Sequence, residues 1–130
     1  MSGTLGNSPR TPAPLKNRPF IQRFSFAWSG LLSAWHGEAS LRAQVVMACL
    51  LLVVLAVLRP APIWWALSGV MAALVIAAEL INTALEHLAD HLHPEQHPRI
   101  KLVKDCAAAA VLILSMAALG VAVMMVLSVV

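Results

Sequence analysis

The sequence predicts an all-α integral membrane protein with an N-terminal amphipathic surface helix and three transmembrane helices. Composition is the first reason: 60% of the 130 residues are hydrophobic and 12% are charged, against roughly 25% charged residues in a soluble domain. A soluble fold of this length has too small an interior to bury so much apolar surface. The second reason is that the hydrophobic residues are gathered into three runs. These observations exclude a disordered chain, a disulfide scaffold and a nucleic-acid-binding protein.

The segment before the first apolar run divides into a tail and a helix. Residues 1–17 are rich in Ser, Thr, Pro and Gly, which predicts a disordered tail without a catalytic role, followed by a membrane domain over residues 18–130. A surface helix is predicted over about residues 19–38, where four apolar side chains recur at helical spacing: Phe24, Trp28, Leu31 and Trp35. A Trp-bearing amphipathic helix beside a membrane typically lies in the interface. Packing on a partner protein is the alternative.

The three apolar runs are almost free of charge. Between Arg42 and Glu79 the only charged residue is Arg59, and none follows Asp105. All eight prolines lie outside these runs, as expected because proline breaks helix interiors. A bilayer-spanning helix needs about 20 residues. With their flanking residues, the runs predict transmembrane helices over about 41–59, 62–92 and 100–128, the second including a cytoplasmic extension.

The distribution of Lys and Arg predicts the orientation of the chain. Five basic residues precede the first span and three lie between the second and third spans, whereas the turn between the first and second spans holds only Arg59. The positive-inside rule therefore predicts that the N-terminus and the loop between the second and third spans are cytoplasmic.

The acidic residues are the most informative feature of the sequence. Five of the six lie within residues 79–105, and the sixth, Glu38, lies between the surface helix and the first span. On the second span, one helical arc of about 100° collects five polar residues: Glu79, Asn82, Thr83, Glu86 and Asp90. Glu79 lies about 24 Å along the helix from Ile63. It is therefore expected near the cytoplasmic edge of the hydrocarbon core, which is about 30 Å thick.

Ionisable groups at this depth are costly and indicate a functional site. Polar contact between helices is the alternative, and Asn82 and Thr83 alone would fit it. Two glutamates two turns apart fit it poorly, because neighbouring carboxylates repel each other unless a cation or a proton intervenes. A hard cation such as Mg²⁺ resolves this repulsion. A transition-metal site at His87 and His91 is a weaker hypothesis.

Four short motifs stand out along the chain. They are W-x-G-L-x-x-A-W-x-x-E-x-x-x-R over residues 28–42, A-E-L-I-N-T-A-L-E-H-L-A-D over 78–90, P-E-x-H-P over 94–98 and K-D at 104–105. Together they resemble the signature of the prokaryotic diacylglycerol kinase and undecaprenol kinase family, and the resemblance covers most of the chain without an evident insertion. The sequence contains no Gly-rich phosphate-binding loop, so a nucleotide would be bound without one.

The resemblance implies a small homotrimeric kinase of the bacterial inner membrane, with active sites between subunits. Such an enzyme uses Mg²⁺ and transfers the γ-phosphate of ATP to the hydroxyl of diacylglycerol, giving phosphatidic acid. Undecaprenol phosphorylation by the same mechanism is the alternative within the family, since Pro19, Phe26-Ala27 and Ala107-Ala108 depart from the diacylglycerol kinase branch. A non-catalytic protein that binds divalent cations, or a small helper subunit, is the alternative of another class.

The resemblance also implies roles for individual residues. Glu79 is expected to be the general base on the lipid hydroxyl, and Asn82 to orient groups around it. Glu38 and Glu86 are expected to hold Mg²⁺ and, through it, the nucleotide. Further nucleotide contacts are expected from four residues: Glu95, His97, Lys104 and Asp105. Asp90 matches the motif and receives no role.

Overall fold

The computed structural model describes residues 19–92, 95 and 97–130, and all regular secondary structure in this part of the chain is α-helical. Four helices follow one another: α1 (Phe20–Gly37), α2 (Ala39–Leu58), α3 (Pro62–Leu92) and α4 (Pro98–Leu127). The last three are each long and apolar enough to cross a membrane. The predicted all-α membrane fold is therefore confirmed, whereas the tail predicted over residues 1–17 lies outside the described residues.

Helix α1 carries aromatic side chains that are largely exposed in the described chain. It has no buried residue, and Phe24 and Trp28 remain 63% and 56% exposed. Helix α1 makes few contacts with α2 and α3. Exposed aromatic side chains of this kind suit a helix that lies in the membrane interface.

The junction between α1 and α2 is a one-residue break at Glu38. This residue has an extended backbone (φ −111°, ψ 117°), so α1 ends before it and α2 begins after it. The Arg42 guanidinium, one turn into α2, donates hydrogen bonds to the carbonyl oxygens of Trp35 (3.0 Å) and His36 (3.3 Å). Because the last carbonyls of a helix lack partners within it, these bonds complete the end of α1 and tie it to α2.

The turn between α2 and α3 ends one helix and starts the next within three residues. Arg59 adopts the left-handed conformation (φ 48°, ψ 52°) at the end of α2, and its N–H donates to the carbonyl oxygen of Leu55. A left-handed residue is a common helix terminator, and Pro60 cannot continue the helix. Pro62 then occupies the first position of α3, where its missing N–H costs nothing. Helix α3 consequently returns alongside α2.

Helix α3 organises the bundle, because it packs extensively on α4 and also contacts α2. Six hydrophobic residues of the described chain are buried: Leu41, Leu55, Val75, Ala89, Val111 and Met125. The other apolar side chains of the three long helices mostly face outward, as expected where lipid or further protein covers them. With 31 residues, α3 is about 46 Å long. It exceeds a hydrocarbon core of about 30 Å, so its polar end extends past the core.

Candidate active site

The polar face of α3 runs from the buried middle of the helix to its exposed end. Glu79, Asn82 and Thr83 are buried, with exposed fractions of 4%, 8% and 7%. Glu86 is half-buried, and Asp90, one turn further, is exposed. The residues that share one arc by helical periodicity therefore also share a gradient of burial, with Glu79 at its most enclosed point.

The Glu79 carboxylate has no hydrogen-bond or ion-pair partner among residues 19–92, 95 and 97–130. Burying a charged group without a partner is costly, and buried polar groups in folded proteins are nearly always paired. Both oxygens of Glu79 are thus available to accept a hydrogen bond from a group outside this chain. An unpaired carboxylate at this depth is typical of a functional site.

Asn82 and Glu86 form a pair one helical turn apart on the same face. Asn82 Nδ2 donates a hydrogen bond to Glu86 Oε1 over 3.0 Å, the spacing at which side chains on a helix meet. Asn82 Oδ1 is buried and has no partner in the described part of the chain. This orphaned acceptor requires a donor or a cation, because leaving it unsatisfied costs free energy.

Glu38 reaches α3 through His87. The two residues are separated by 49 positions in sequence, and His87 Nε2 lies 3.1 Å from Glu38 Oε1. The Glu38 side chain is 27% exposed and that of His87 is 74% exposed. This contact brings the junction between α1 and α2 beside the later half of α3, next in sequence to Glu86.

Helix α4 reaches α3 through an ion pair between Lys104 and Asp90. Lys104 Nζ donates to Asp90 Oδ1 over 2.7 Å, so the residue without a predicted role is the one that holds Lys104. Asp105 instead accepts from Lys101, one turn earlier on α4. Lys104 and Asp105 are consecutive but face different partners, and only Lys104 is directed to α3 by a contact within the described chain.

Glu95 and His97 lie before α4 and contact none of these groups within the described residues. His97 is the N-cap of α4, and its Nδ1 accepts a hydrogen bond of 3.2 Å from the Arg99 N–H. This bond satisfies one of the free amides at the helix start. Glu95 is exposed. The structure thus gives His97 a capping contact that the spacing of the motif did not indicate.

The oxygen atoms of this region fit Mg²⁺ better than a transition metal. Among the described residues, no three His, Cys, Asp or Glu side chains are grouped so that they could hold a metal ion. Mg²⁺ needs no such group, since it is usually held by one or two carboxylates together with water and substrate phosphates. Glu38, Glu86 and the orphaned Asn82 Oδ1 supply oxygen ligands of the right kind. His87, which the transition-metal hypothesis requires, is already paired with Glu38.

Two contacts in this region were missed by the sequence reasoning. The sequence suggests His87 only as a metal ligand, and Arg42 only as one of the basic residues before the first span and as the last residue of the motif over 28–42. Their partners depend on how α1, α2 and α3 pack, and no local spacing reveals a contact between residues 49 positions apart. A signal was present for Arg42, because it closes the motif that contains Trp35 and Glu38.

Comparison with known proteins gives a consistent set of relatives. The profile of the family described as "Prokaryotic diacylglycerol kinase" matches residues 25–126. The chain is similar to a diacylglycerol kinase of Pseudomonas aeruginosa, with 31% identity over 104 residues that cover 77% of this chain and 85% of the relative. It is 33% identical to a diacylglycerol kinase of Escherichia coli K12 over 93 residues, which cover 72% of this chain and 76% of the relative. An undecaprenol kinase of Bacillus subtilis is 29% identical over 92 residues, which cover 71% and 75%.

Proposed function

Because the chain belongs to the prokaryotic diacylglycerol kinase family, we propose that it transfers the γ-phosphate of ATP to the hydroxyl of diacylglycerol, giving phosphatidic acid and ADP. The observation that carries this proposal is the buried Glu79 carboxylate, which has no partner within the described part of the chain. It lies on the helix that Glu38 and Lys104 reach from the other elements. The proposed base for the lipid lies on α3, and two of the proposed cation and nucleotide groups, Glu38 and Lys104, contact the same helix.

Glu79 acts as the general base in this proposal. The hydroxyl oxygen of the lipid forms a bond to the γ-phosphorus, the bond from that phosphorus to the β,γ-bridging oxygen breaks, and Glu79 takes the hydroxyl proton. Phosphoryl transfer depends mainly on positioning and on neutralising charge, so the base must be held still. The enclosed position of Glu79 on α3 supports this role, and the unpartnered Asn82 Oδ1 can orient a donor beside it.

Glu38 and Glu86 would hold Mg²⁺, with Asn82 nearby. Mg²⁺, when bound, neutralises phosphate charge. The chain's own contribution is to keep these oxygens in place: Asn82 Nδ2 holds one oxygen of Glu86, and Glu38 Oε1 contacts His87. Each carboxylate therefore has one engaged oxygen and one oxygen available for the cation.

Four residues on the α4 side would contact the nucleotide: Glu95, His97, Lys104 and Asp105. Lys104 is a point charge suited to phosphate oxygens, and Asp90 holds its ammonium group at α3. The exposure of Glu95, His97 and Asp105 supports contacts further from the reacting phosphate.

Undecaprenol is the second candidate acceptor. The similarity to an undecaprenol kinase of Bacillus subtilis favours it, as do the small residues Ala107 and Ala108 after the K-D motif. Both acceptors present a hydroxyl at the membrane surface, and the proposed chemistry at Glu79 is the same for each.

We further propose that the protein is a homotrimer of the inner membrane, with its N-terminus and the α3–α4 loop in the cytoplasm. The bias of Lys and Arg supports this orientation, and the outward-facing apolar side chains of α2 to α4 support association. Light scattering of the solubilised protein, corrected for detergent, should give three times 13.9 kDa. A mass corresponding to one or two chains would contradict the trimer.

The function is tested by transfer of labelled γ-phosphate from ATP in the presence of Mg²⁺. Purified full-length protein is placed in lipid nanodiscs that contain either diacylglycerol or undecaprenol, and a parallel sample lacks Mg²⁺. We expect Mg²⁺-dependent label on diacylglycerol. In sealed vesicles, externally added ATP should label lipid when the membranes are inverted and should not when they are right-side-out.

Each outcome of this assay has a distinct meaning. Label confined to undecaprenol would mean that undecaprenol is the acceptor in place of diacylglycerol, and the proposed transfer chemistry would stand. Absence of label on both lipids, from folded protein, would contradict the kinase activity and favour a divalent-cation-binding or helper protein. Label that persists without Mg²⁺ would contradict the proposed cofactor.

A further inference from the structure

We propose that His87 is a positioning residue that holds the Glu38 carboxylate in place for the divalent cation. The contact between His87 Nε2 and Glu38 Oε1 measures 3.1 Å and joins segments 49 residues apart. This inference rests on the proposed function, since it takes Glu38 as a ligand of Mg²⁺. It assigns His87 no contact with substrate or metal.

Glu38 needs such a partner because of where it lies in the chain. It is the single non-helical residue between α1 and α2, so its side chain is not confined by packing within one continuous helix. Arg42 ties down the neighbouring backbone through the carbonyl oxygens of Trp35 and His36. Those bonds do not involve the Glu38 side chain, and His87 is its only hydrogen-bond or ion-pair partner in the described part of the chain.

The geometry assigns the two oxygens of Glu38 to different tasks. Oε1 accepts from the Nε2 N–H of His87, and Oε2 remains available to a cation. Hydrogen bonds to ligating carboxylates commonly orient them, and removing such a partner costs 10- to 100-fold in metal affinity or activity. The His87 side chain is 74% exposed, so water competes for the bond and an effect of about 10-fold is expected.

His87 also couples two parts of the fold that otherwise touch only slightly. Contact between α1 and α3 is sparse, and the Glu38–His87 bond is the side-chain hydrogen bond that joins the α1–α2 junction to α3 in the described residues. Glu86 precedes His87 on α3, so the bond joins the backbone segment of one proposed Mg²⁺ ligand to the side chain of the other. We therefore expect loss of the Glu38–His87 bond to weaken cation binding more than lipid binding.

Two readouts test the proposal on full-length protein in nanodiscs. The first is the Mg²⁺ concentration that gives half-maximal phosphate transfer, measured together with the KM for lipid. The second is binding of Mn²⁺, followed by electron paramagnetic resonance with a non-hydrolysable ATP analogue, which reports the site without turnover. The variants are His87→Ala, His87→Gln, Glu38→Gln and the double variant Glu38→Gln/His87→Ala. His91→Ala is the matched control, because it is an exposed histidine one turn later on the same helix.

We expect His87→Ala to raise both the half-maximal Mg²⁺ concentration and the Mn²⁺ dissociation constant about 10-fold, with the lipid KM unchanged. His87→Gln, whose amide N–H can replace Nε2, should recover most of the loss. His91→Ala should behave as the wild type, and His87→Ala should add nothing in the Glu38→Gln background. These results would support the positioning role.

Failure of this inference can be told apart from failure of the proposed function. If Glu38→Gln weakens cation binding while His87→Ala does not, or if the two losses simply add, the positioning role is wrong and the ligand role of Glu38 stands. If Glu38→Gln binds Mn²⁺ and transfers phosphate as the wild type does, Glu38 is not a ligand and the inference is overturned with it. A wild-type protein that transfers no phosphate overturns both.

Discussion

Replacing Glu79 by glutamine is expected to lower the rate of phosphate transfer about 10³-fold, within the range of 10²- to 10⁴-fold that general bases contribute. Glutamine keeps the size and shape of the side chain but cannot take the hydroxyl proton. Because the loss falls on the transition state, kcat should decrease while the KM values for ATP and lipid change little. Initial rates of labelled phosphate transfer, measured over a range of each substrate, check this expectation.

A second prediction for Glu79→Gln concerns the thermal stability of the protein. The Glu79 side chain is 4% exposed and forms no hydrogen bond or ion pair within the described chain, so replacing its carboxylate by an amide breaks no stabilising bond there. The Glu79→Gln protein should therefore be at least as resistant to thermal unfolding as the wild type. A large loss of activity in a protein of undiminished stability separates a catalytic role from a structural one.

Ser68→Ala is the matched control for Glu79→Gln. Ser68 is a buried polar residue of the same helix, 2% exposed, and its hydroxyl has no partner among the described residues. Removing it should leave phosphate transfer close to the wild-type rate. If Glu79→Gln retains more than about one tenth of the wild-type kcat, the assignment of the general base is wrong.

The fold could be predicted from the sequence because membranes impose simple rules. Uncharged apolar runs separated by proline-containing turns specify spans, and the polar arc on α3 follows from helical periodicity alone. The burial of Glu79, Asn82 and Thr83 agrees with the arc on which periodicity places them. Each of these features depends on residues that are close together in the chain, so it can be recognised from a single sequence.

The contacts between helices could not be predicted in the same way. The roles of His87 and Asp90 depend on Glu38, at the junction between α1 and α2, and on Lys104, on α4. Many rotations of α2 and α4 about their axes would satisfy the same hydropathy pattern, because their apolar residues surround the helix on all sides. Only the packing of the helices decides which side chains meet. The motif includes Asp90 but does not indicate that its partner is Lys104.

Replacing Lys104 by alanine is expected to lower kcat/KM for ATP by about 10²- to 10³-fold, as the loss of a charge-stabilising donor does at other active sites. The ammonium group lies 2.7 Å from Asp90, at the end of α3 where Glu86 also lies. The measurement is kcat/KM with ATP varied at saturating lipid. Lys104→Arg should recover part of the loss, since it restores the charge but not the compact shape.

Substitution of Asp90 tests whether Lys104 contacts phosphate or only forms a structural ion pair. If Lys104 served only to bind Asp90, removing either partner should cost the same small amount, because ion pairs at a solvated surface contribute little to stability. If Lys104 contacts phosphate and Asp90 holds it, Asp90→Asn should cost about 10-fold, far less than Lys104→Ala. The double variant should then be no worse than Lys104→Ala alone, since Asp90 would act through Lys104.

Lys101 provides the matched comparison on the same helix. Its ammonium group pairs with Asp105 one turn away, an exposed pair of the kind that contributes about 0.3–0.5 kcal/mol. Lys101→Ala should therefore change kcat/KM for ATP by less than about 3-fold, the equivalent of roughly 0.6 kcal/mol. Equal losses from Lys101→Ala and Lys104→Ala would mean that positive charge near the site acts only by general attraction of ATP. In that case, the Asp90 contact would not single out Lys104 as the residue that binds phosphate.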